Sequence, residues 1–256
     1  MLPIEEREKS SMRSLERALH ILAVLEEGGG GMSITELGRA SQLSKATVLR
    51  ILSVLEKYQF AEKRHGRYRL GAAVLPLAHE YVLGNELTRA ALPVLQELAQ
   101  ISKNTASLFV RIGFRRIAVQ RVEGIHPLRF ALPIGQRLPL HLGAAGKVLT
   151  AGMSTEELKQ MLDELEGMTV ARGERFNRRA LLTDIDRTRS QGYYVSLGER
   201  MEGTFGVSAP VVDADKQTIA AVTVSGSVDK LTSKGIEGLI IEVRDAARAV
   251  AERYNI

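Results

Sequence analysis

Two periods run through the hydrophobic positions of this chain. Near the start, Leu15, Ala18, Leu19, Leu22 and Leu25 recur at three- and four-residue spacing, which places them on one face of a helix beginning at Arg13. Four glycines at 28–31 stop it. Ser33-Ile-Thr-Glu36 then reads as a capping box: the Glu36 N–H donates to the Ser33 hydroxyl while the Ser33 N–H donates to the Glu36 carboxylate. A short second helix to about Ser41 follows. Ser44 is another N-cap, and Val48, Leu52 and Leu55 form the buried stripe of a third helix. Beyond it, extended runs on either side of His65-Gly66 predict a hairpin.

Residues 71–83 predict a connecting helix in spite of Pro76, which should bend it or mark an early turn. Asn85 caps a further helix carrying Leu87, Ala91, Val94, Leu95 and Leu98, although Pro93 argues against an unbroken one. From Thr105 the period becomes two. Leu108, Val110 and Ile112 alternate, Gly113-Phe114 turns, and Ile117 and Val119 alternate again, the signature of a hairpin. Further strands are expected at 128–134, 193–197, around Phe205, Val207, Ala209 and Val211, and at 219–225. Helices are expected from Ala144 to about Gly152, over 154–165 with a second capping box at Ser154 and Glu157, over 178–191, and over 232–254. Mostly antiparallel strands with helices grouped around them make an α+β domain.

Length and composition fit this division. A chain of 256 residues accommodates two ordinary domains. With 45% hydrophobic and 25% charged residues, and no apolar run near the ~20 residues that span a bilayer, it is expected to be a soluble globular protein with no membrane partner. The polar, charged N-terminus lacks a signal-peptide core, so a cytoplasmic location is expected. Cysteine is absent, which removes disulfides and sulfur-ligated metals, and the five histidines are scattered. No metal and no cofactor is expected.

Charge changes the picture more. Residues 44–70 hold seven cations against two acids, an excess of five that equals the net charge of the whole chain. Lys45, Thr47 and Arg50 share the outward face of the third helix, and Arg64 and Arg67 flank the hairpin tip. Helix, short turn, helix and basic hairpin together predict a winged helix-turn-helix that reads double-stranded DNA: Lys and Arg donate to guanine or phosphate, and Thr touches a phosphate or a thymine methyl.

Enzymatic readings fare worse. His141-Leu-Gly-Ala-Ala-Gly-Lys-Val-Leu149 looks like a phosphate loop, but His141 stands where a glycine is required and Val148 where a Ser or Thr should hold magnesium. Neither Ser208 nor Ser225 sits in a complete G-x-S-x-G elbow, so both read as strand residues pointing into a pocket. Glu199 and Glu202 read as a solvated or salt-bridged surface, with Arg200 as a partner. What the residues do offer is anion binding: Ala144, Ala145 and Gly146 leave backbone N–H groups open at a helix start, and Thr223 and Ser225 face the same way from one strand.

The chain resembles the IclR-type bacterial transcription regulators. The resemblance rests on Ser14-Leu-Glu-Arg-Ala-Leu19, Ile34-Thr-Glu-Leu-Gly-Arg-Ala40, Leu43-Ser-Lys-Ala-Thr-Val-Leu-Arg-Ile-Leu52 and Gly66-Arg-Tyr-Arg-Leu-Gly71, then Leu138-Pro-Leu-His141, Gly146-Lys147, Gly192-Tyr193, Ser208-Ala-Pro-Val-Val-Asp213 and Ala220-Ala-Val-Thr-Val-Ser-Gly226. It implies a DNA-binding domain over 1–70, a linker helix over 71–85 along which partner chains meet, and a GAF-like effector-binding and oligomerisation domain over 86–256. It also implies a DNA site at Ser44, Lys45, Thr47, Arg50, Arg64 and Arg67. Its effector site falls on Ala144, Ala145, Ser196, Gly206, Thr223 and Ser225. Members that bind small keto acids can carry an acid at the Ser196 position and a Cys at the Gly206 position, and this chain has neither. The expected function is operator binding by a homodimer or homotetramer, modulated by a small organic acid. The alternatives are a hydrolase or acyl transferase on the second domain, and a ligand sensor that does not bind DNA.

Overall fold

The computed structural model describes residues 12–126, 132–168, 175–231 and 235–255. The chain divides into two compact units, Met1–Tyr81 and Val82–Ile256.

In the first unit, α1 (Arg13–Glu27), α2 (Ile34–Ser41) and α3 (Lys45–Lys57) precede a hairpin of β1 (Ala61–Arg64) and β2 (Arg67–Leu70). The helix starts follow their capping chemistry. Glu36 N–H donates to Ser33 Oγ at 3.3 Å and Ser33 N–H to Glu36 Oε2 at 2.7 Å, while Thr47 N–H donates to Ser44 Oγ at 3.2 Å. Ile21, Leu37, Val48 and Leu52 are fully buried between the three helices, and Tyr68 closes the core from β2. Met32 exchanges two backbone hydrogen bonds of 2.7 Å with Tyr68, adding one bridged residue beside the hairpin. At the tip, His65 and Gly66 have φ of 50° and 76°. Positive φ at both central residues is the two-residue turn that matches the twist of its flanking strands.

The connecting helix α4 (Val74–Gly84) keeps Pro76 as its third residue, where the missing N–H would have had no partner within the helix. None of its residues is buried. Asn85 caps α5 (Glu86–Ser102) by accepting from Thr88 N–H at 3.2 Å. The helix α5 runs unbroken through Pro93, contrary to expectation. Pro93 lies on its exposed side, so the carbonyl left without an amide faces water and the buried face from Leu87 to Ala99 is undisturbed.

The second unit is built on β3 (Thr105–Ile112), β4 (Arg115–Val122), β5 (Arg137–Pro139), β6 (Tyr194–Leu197), β7 (Thr204–Val212) and β8 (Thr218–Ser227). They form one sheet in the order β5-β4-β3-β8-β7-β6, and every pairing is antiparallel. Alternation then assigns its faces. Ala106, Leu108, Val207, Val211, Val222 and Val224 point toward α5 and α9 (Gly235–Tyr254). Phe109, Ala118, Tyr194 and Ala221 point toward α6 (Ala144–Ala151), α7 (Thr155–Leu165) and α8 (Arg178–Gln191).

One strand is displaced from its expected place. Of 128–134, residues 128–131 lie outside the described residues, and residues 132–134 are not strand. Gly135, at φ 89°, turns the chain there, and the edge strand forms later, with Arg137 opposite Ile117. The expected start of the last helix, 232–234, also lies outside the described residues.

Candidate DNA face and candidate effector pocket

On α3, the cap at Ser44 and the buried stripe of Val48, Leu52 and Leu55 turn Lys45 and Arg50 to water. Thr47 is half-buried, and its hydroxyl meets that of Ser44 at 2.9 Å. Ala46 and Leu49 are exposed beside Lys45 and Arg50. Arg64 is exposed at the hairpin tip and 3.2 Å from Glu62. Arg67 is tied down: its Nη2 donates to Glu36 Oε2 at 3.0 Å and its Nε to the Gly31 carbonyl at 3.0 Å. The capping glutamate of α2 thus also seats the hairpin.

The second constellation lies between the sheet and the start of α6. Ser196, Gly206 and Ser225 stand side by side in register across β6, β7 and β8. With Thr223, Ala144 and Ala145 they line one pocket, so all six expected effector residues are brought together. Its cavity volume is about 60 Å³. Gly143 enters α6 at φ 71°, and Gly146 is required by close approach, because a Cβ there would lie 2.2 Å from the Leu140 carbonyl oxygen. Ala144 and Ala145 occupy the first turn, where backbone N–H groups have no acceptor within the helix. Nothing forces glycine at 206. A Cβ there would meet only Ala144 Cβ, at an ordinary 3.5 Å, so its small size leaves space rather than relieving a clash.

Two sequence-based expectations need correction, and one residue gains a role. Ser208 does not line the pocket: its buried hydroxyl bonds Thr223 Oγ1 at 2.8 Å and donates to the Val222 carbonyl at 2.9 Å. Glu199 is not a surface partner of Arg200. It accepts from Gly143 N–H at 2.9 Å and approaches Lys147 Nζ at 3.8 Å. Lys147, which sequence left without a role, is 6% exposed, pairs with Asp184 from α8, and stands 5.2 Å over the Tyr194 ring. These partners lie 37 to 56 positions away in sequence, so no local spacing announced them.

Sequence reasoning also missed the two guanidiniums of this wall, Arg116 and Arg200. Arg116 is buried and donates through Nη1 to the carbonyls of Pro139 and Leu142. Burial, then the like charge of Arg200, push it down to about 9 against the opposing field of Glu199, so it remains cationic at neutral pH. Burial lowers Arg200 as well. The positive field reaches His141, which burial, then Arg115, Lys147 and Arg116, depress from 6.5 to about 4. Burial, then the carboxylates of Glu199 and Asp184, raise the Tyr194 hydroxyl.

A capped helix pair with an exposed basic face, seated beside a basic hairpin, defines a helix-turn-helix regulator. Comparison with known proteins agrees across the chain. Residues 14–65 match the IclR helix-turn-helix domain, and residues 79–252 match the family described as bacterial transcriptional regulator IclR C-terminal. The chain belongs to the IclR family of bacterial transcriptional regulators. It is 27% identical over 246 residues to the HTH-type transcriptional repressor AllR of Escherichia coli K12, covering 95% of this chain and 91% of that one. An IclR family regulator structure from Brucella abortus superposes with a TM-score of 0.83 at 20% identity, covering 98% and 96% of the two chains. An IclR homolog from Microbacterium hydrocarbonoxydans, complexed with 4-hydroxybenzoate, gives 0.73 at 19% identity, covering 94% and 98%. No helix among the described residues is long and apolar enough to cross a membrane.

Proposed function

We propose that this regulator reads a two-fold symmetric operator with α3 and the hairpin, and that a small organic acid in the pocket under α6 shifts how well it does so. The carrying observation is that Lys45 and Arg50 are exposed on a helix fixed by its own cap and core, beside the exposed Arg64. In this reading Lys45, Arg50 and Arg64 contact phosphates and base edges. Ser44 and Thr47 present the polar start of α3 to the backbone, and Arg67 holds the wing on α2 while adding positive charge. Domain limits of 1–70, 71–85 and 86–256 go with it.

Ala144, Ala145, Ser196, Gly206, Thr223 and Ser225 are the effector contacts. The complex of the Microbacterium homolog with 4-hydroxybenzoate supports an organic acid there. The ligand acts only if it binds one arrangement of the protein better than another. Leu75, Leu77, Tyr81 and Leu83 leave α4 with exposed apolar side chains, the surface expected of a helix that meets another copy in a homodimer or homotetramer. The protein works in the cytoplasm, and catalysis is no part of its role.

A gel-shift titration against DNA upstream of its own and neighbouring operons tests the proposal. A sequence-selective shift that weakens steeply with salt and is diminished in Arg50→Ala is expected. No such shift, or an Arg50→Ala protein equal to the parent, defeats it.

A further inference from the structure

The pocket wall carries two cations, Arg116 and Arg200, with no carboxylate among the described residues in direct contact; Glu199 offsets Arg116 only from a distance. Arg116 is 4% exposed, and its side chain cannot swing away: Nη1 holds the carbonyls of Pro139 and Leu142, and the guanidinium lies 5.7 Å over the Phe109 ring. Its Nε is buried without a hydrogen-bond partner. Arg200, half-buried in the segment after β6, lines the same pocket. Among the described residues no carboxylate stands within ion-pairing distance of either, and no acid lines the cavity. Glu199, the nearest candidate in sequence, is held by Gly143 N–H and by Lys147. Two like charges are therefore kept beside a cavity whose remaining polar wall is hydroxyls and the start of a helix. Burying such charges unpaired is unfavourable. An anion between them removes the repulsion.

We propose that Arg116 and Arg200 form the charge-reading element of this pocket, so that it takes a compact anion and refuses the neutral molecule of the same shape. The inference rests on the pocket reading above and adds the ligand's charge and size. A water needs roughly 10–15 Å³ of cavity by the usual measure. A cavity of about 60 Å³ therefore holds about four to six heavy atoms, the size of a short carboxylic acid. The ligand's carboxylate lies against Arg116 and Arg200, and its other oxygen reaches the hydroxyls of Thr223 and Ser225. Arg116 also braces the turn 139–143, which makes Arg200 the cleaner position to alter.

The test is calorimetric titration of the full-length protein with lactate and with lactamide, which differ in charge and hardly in shape, and with inorganic phosphate. The parent protein should bind lactate and show little heat with lactamide. Arg200→Gln should weaken lactate by about tenfold to a hundredfold, the usual worth of a hydrogen bond to a charged group, and should erase the preference for lactate over lactamide. Arg116→Lys, which keeps the charge but cannot hold both carbonyls and reach the ligand, should fall between.

A merely structural role for Arg200 would lower both affinities and leave their ratio alone, and that result overturns the proposal. Lactate binding lost in a Thr223→Val, Ser225→Ala variant but untouched in Arg200→Gln overturns it while sparing the pocket. Lactate binding that survives both sets of changes places the ligand elsewhere and defeats the pocket reading itself. Phosphate binding in place of lactate, lost in Arg200→Gln, upholds the charge reader and defeats the organic acid. No binding of any probe by the parent protein overturns both.

Discussion

Positive charge is gathered in two regions of this molecule under opposite conditions. On α3 and the hairpin, Lys45, Arg50 and Arg64 stand in water; around α6, Lys147 and Arg116 are buried and Arg200 is half-buried. An exposed cation costs the fold little and acts on a long, diffuse polyanion by displacing its counterions, so its effect is screened by salt. A buried cation must be held by specific partners, and it can discriminate one small anion from a neutral look-alike. The same side-chain chemistry suits a surface that scans DNA and a site that recognises a metabolite, and burial decides between them.

Substitutions in the two regions should therefore fail differently. The largest effect on folding is expected for Lys147→Met, which leaves Asp184 and Glu199 without their cation. Urea denaturation should show a loss of about 3–5 kcal/mol, the range for breaking a buried ion pair; a loss below 1 kcal/mol would mean that water reaches the pair. Arg50→Ala should do the reverse, changing stability by no more than about 0.5 kcal/mol while weakening operator binding by about 1–3 kcal/mol. If its denaturation midpoint falls as far as that of Lys147→Met, the contrast between the regions collapses.

Ser44→Ala removes a cap that also orients the start of α3, and a loss of about 1 kcal/mol in thermal or urea unfolding is expected. Gly206→Ala should fold as well as the parent or gain a few tenths of a kcal/mol, since a Cβ fits there and glycine weakens strands. The same methyl enters the pocket, so lactate titration should show weaker binding.

A pH series sharpens the comparison further. His141 is depressed from 6.5 to about 4 by burial and by neighbouring cations. Between those values the unfolded chain holds a proton that the folded one does not. The His141 contribution to stability is therefore complete above pH 6.5 and is lost as pH falls toward 4. His141→Gln should flatten that part of the curve, read from urea midpoints at a series of pH values. An unchanged slope would show that neither burial nor the neighbouring cations depress this histidine.

Much of the first unit was legible because its information is local. A capping box needs residues three apart, a buried stripe needs spacings of three and four, and a two-residue turn needs His65-Gly66. Each was read directly, and each forms. The hairpin of β3 and β4, and the orientation of Thr223 and Ser225, were legible for the same reason, since alternation along one strand fixes a face. Pro93 misled because a proline's effect depends on which side of the helix is buried, and the strand expected at 128–134 misled because an edge is decided by its partner.

The amino-acid sequence by itself determined the regulator class, the caps, most of the elements and the small-residue turn that opens α6. Tertiary structure alone decided the electrostatics of the pocket. Lys147 is a buried, paired cation only because α8 brings Asp184 to it, and Glu199 is a helix-start ligand only because β6 ends beside Gly143. Arg116, one of several arginines in a hairpin sequence, becomes a buried cation beside the pocket only where the turn at 139–143 supplies carbonyls to hold it. Side-chain periodicity is a property of neighbours along the chain, whereas desolvation and charge pairing depend on distances that exist only once the chain has folded.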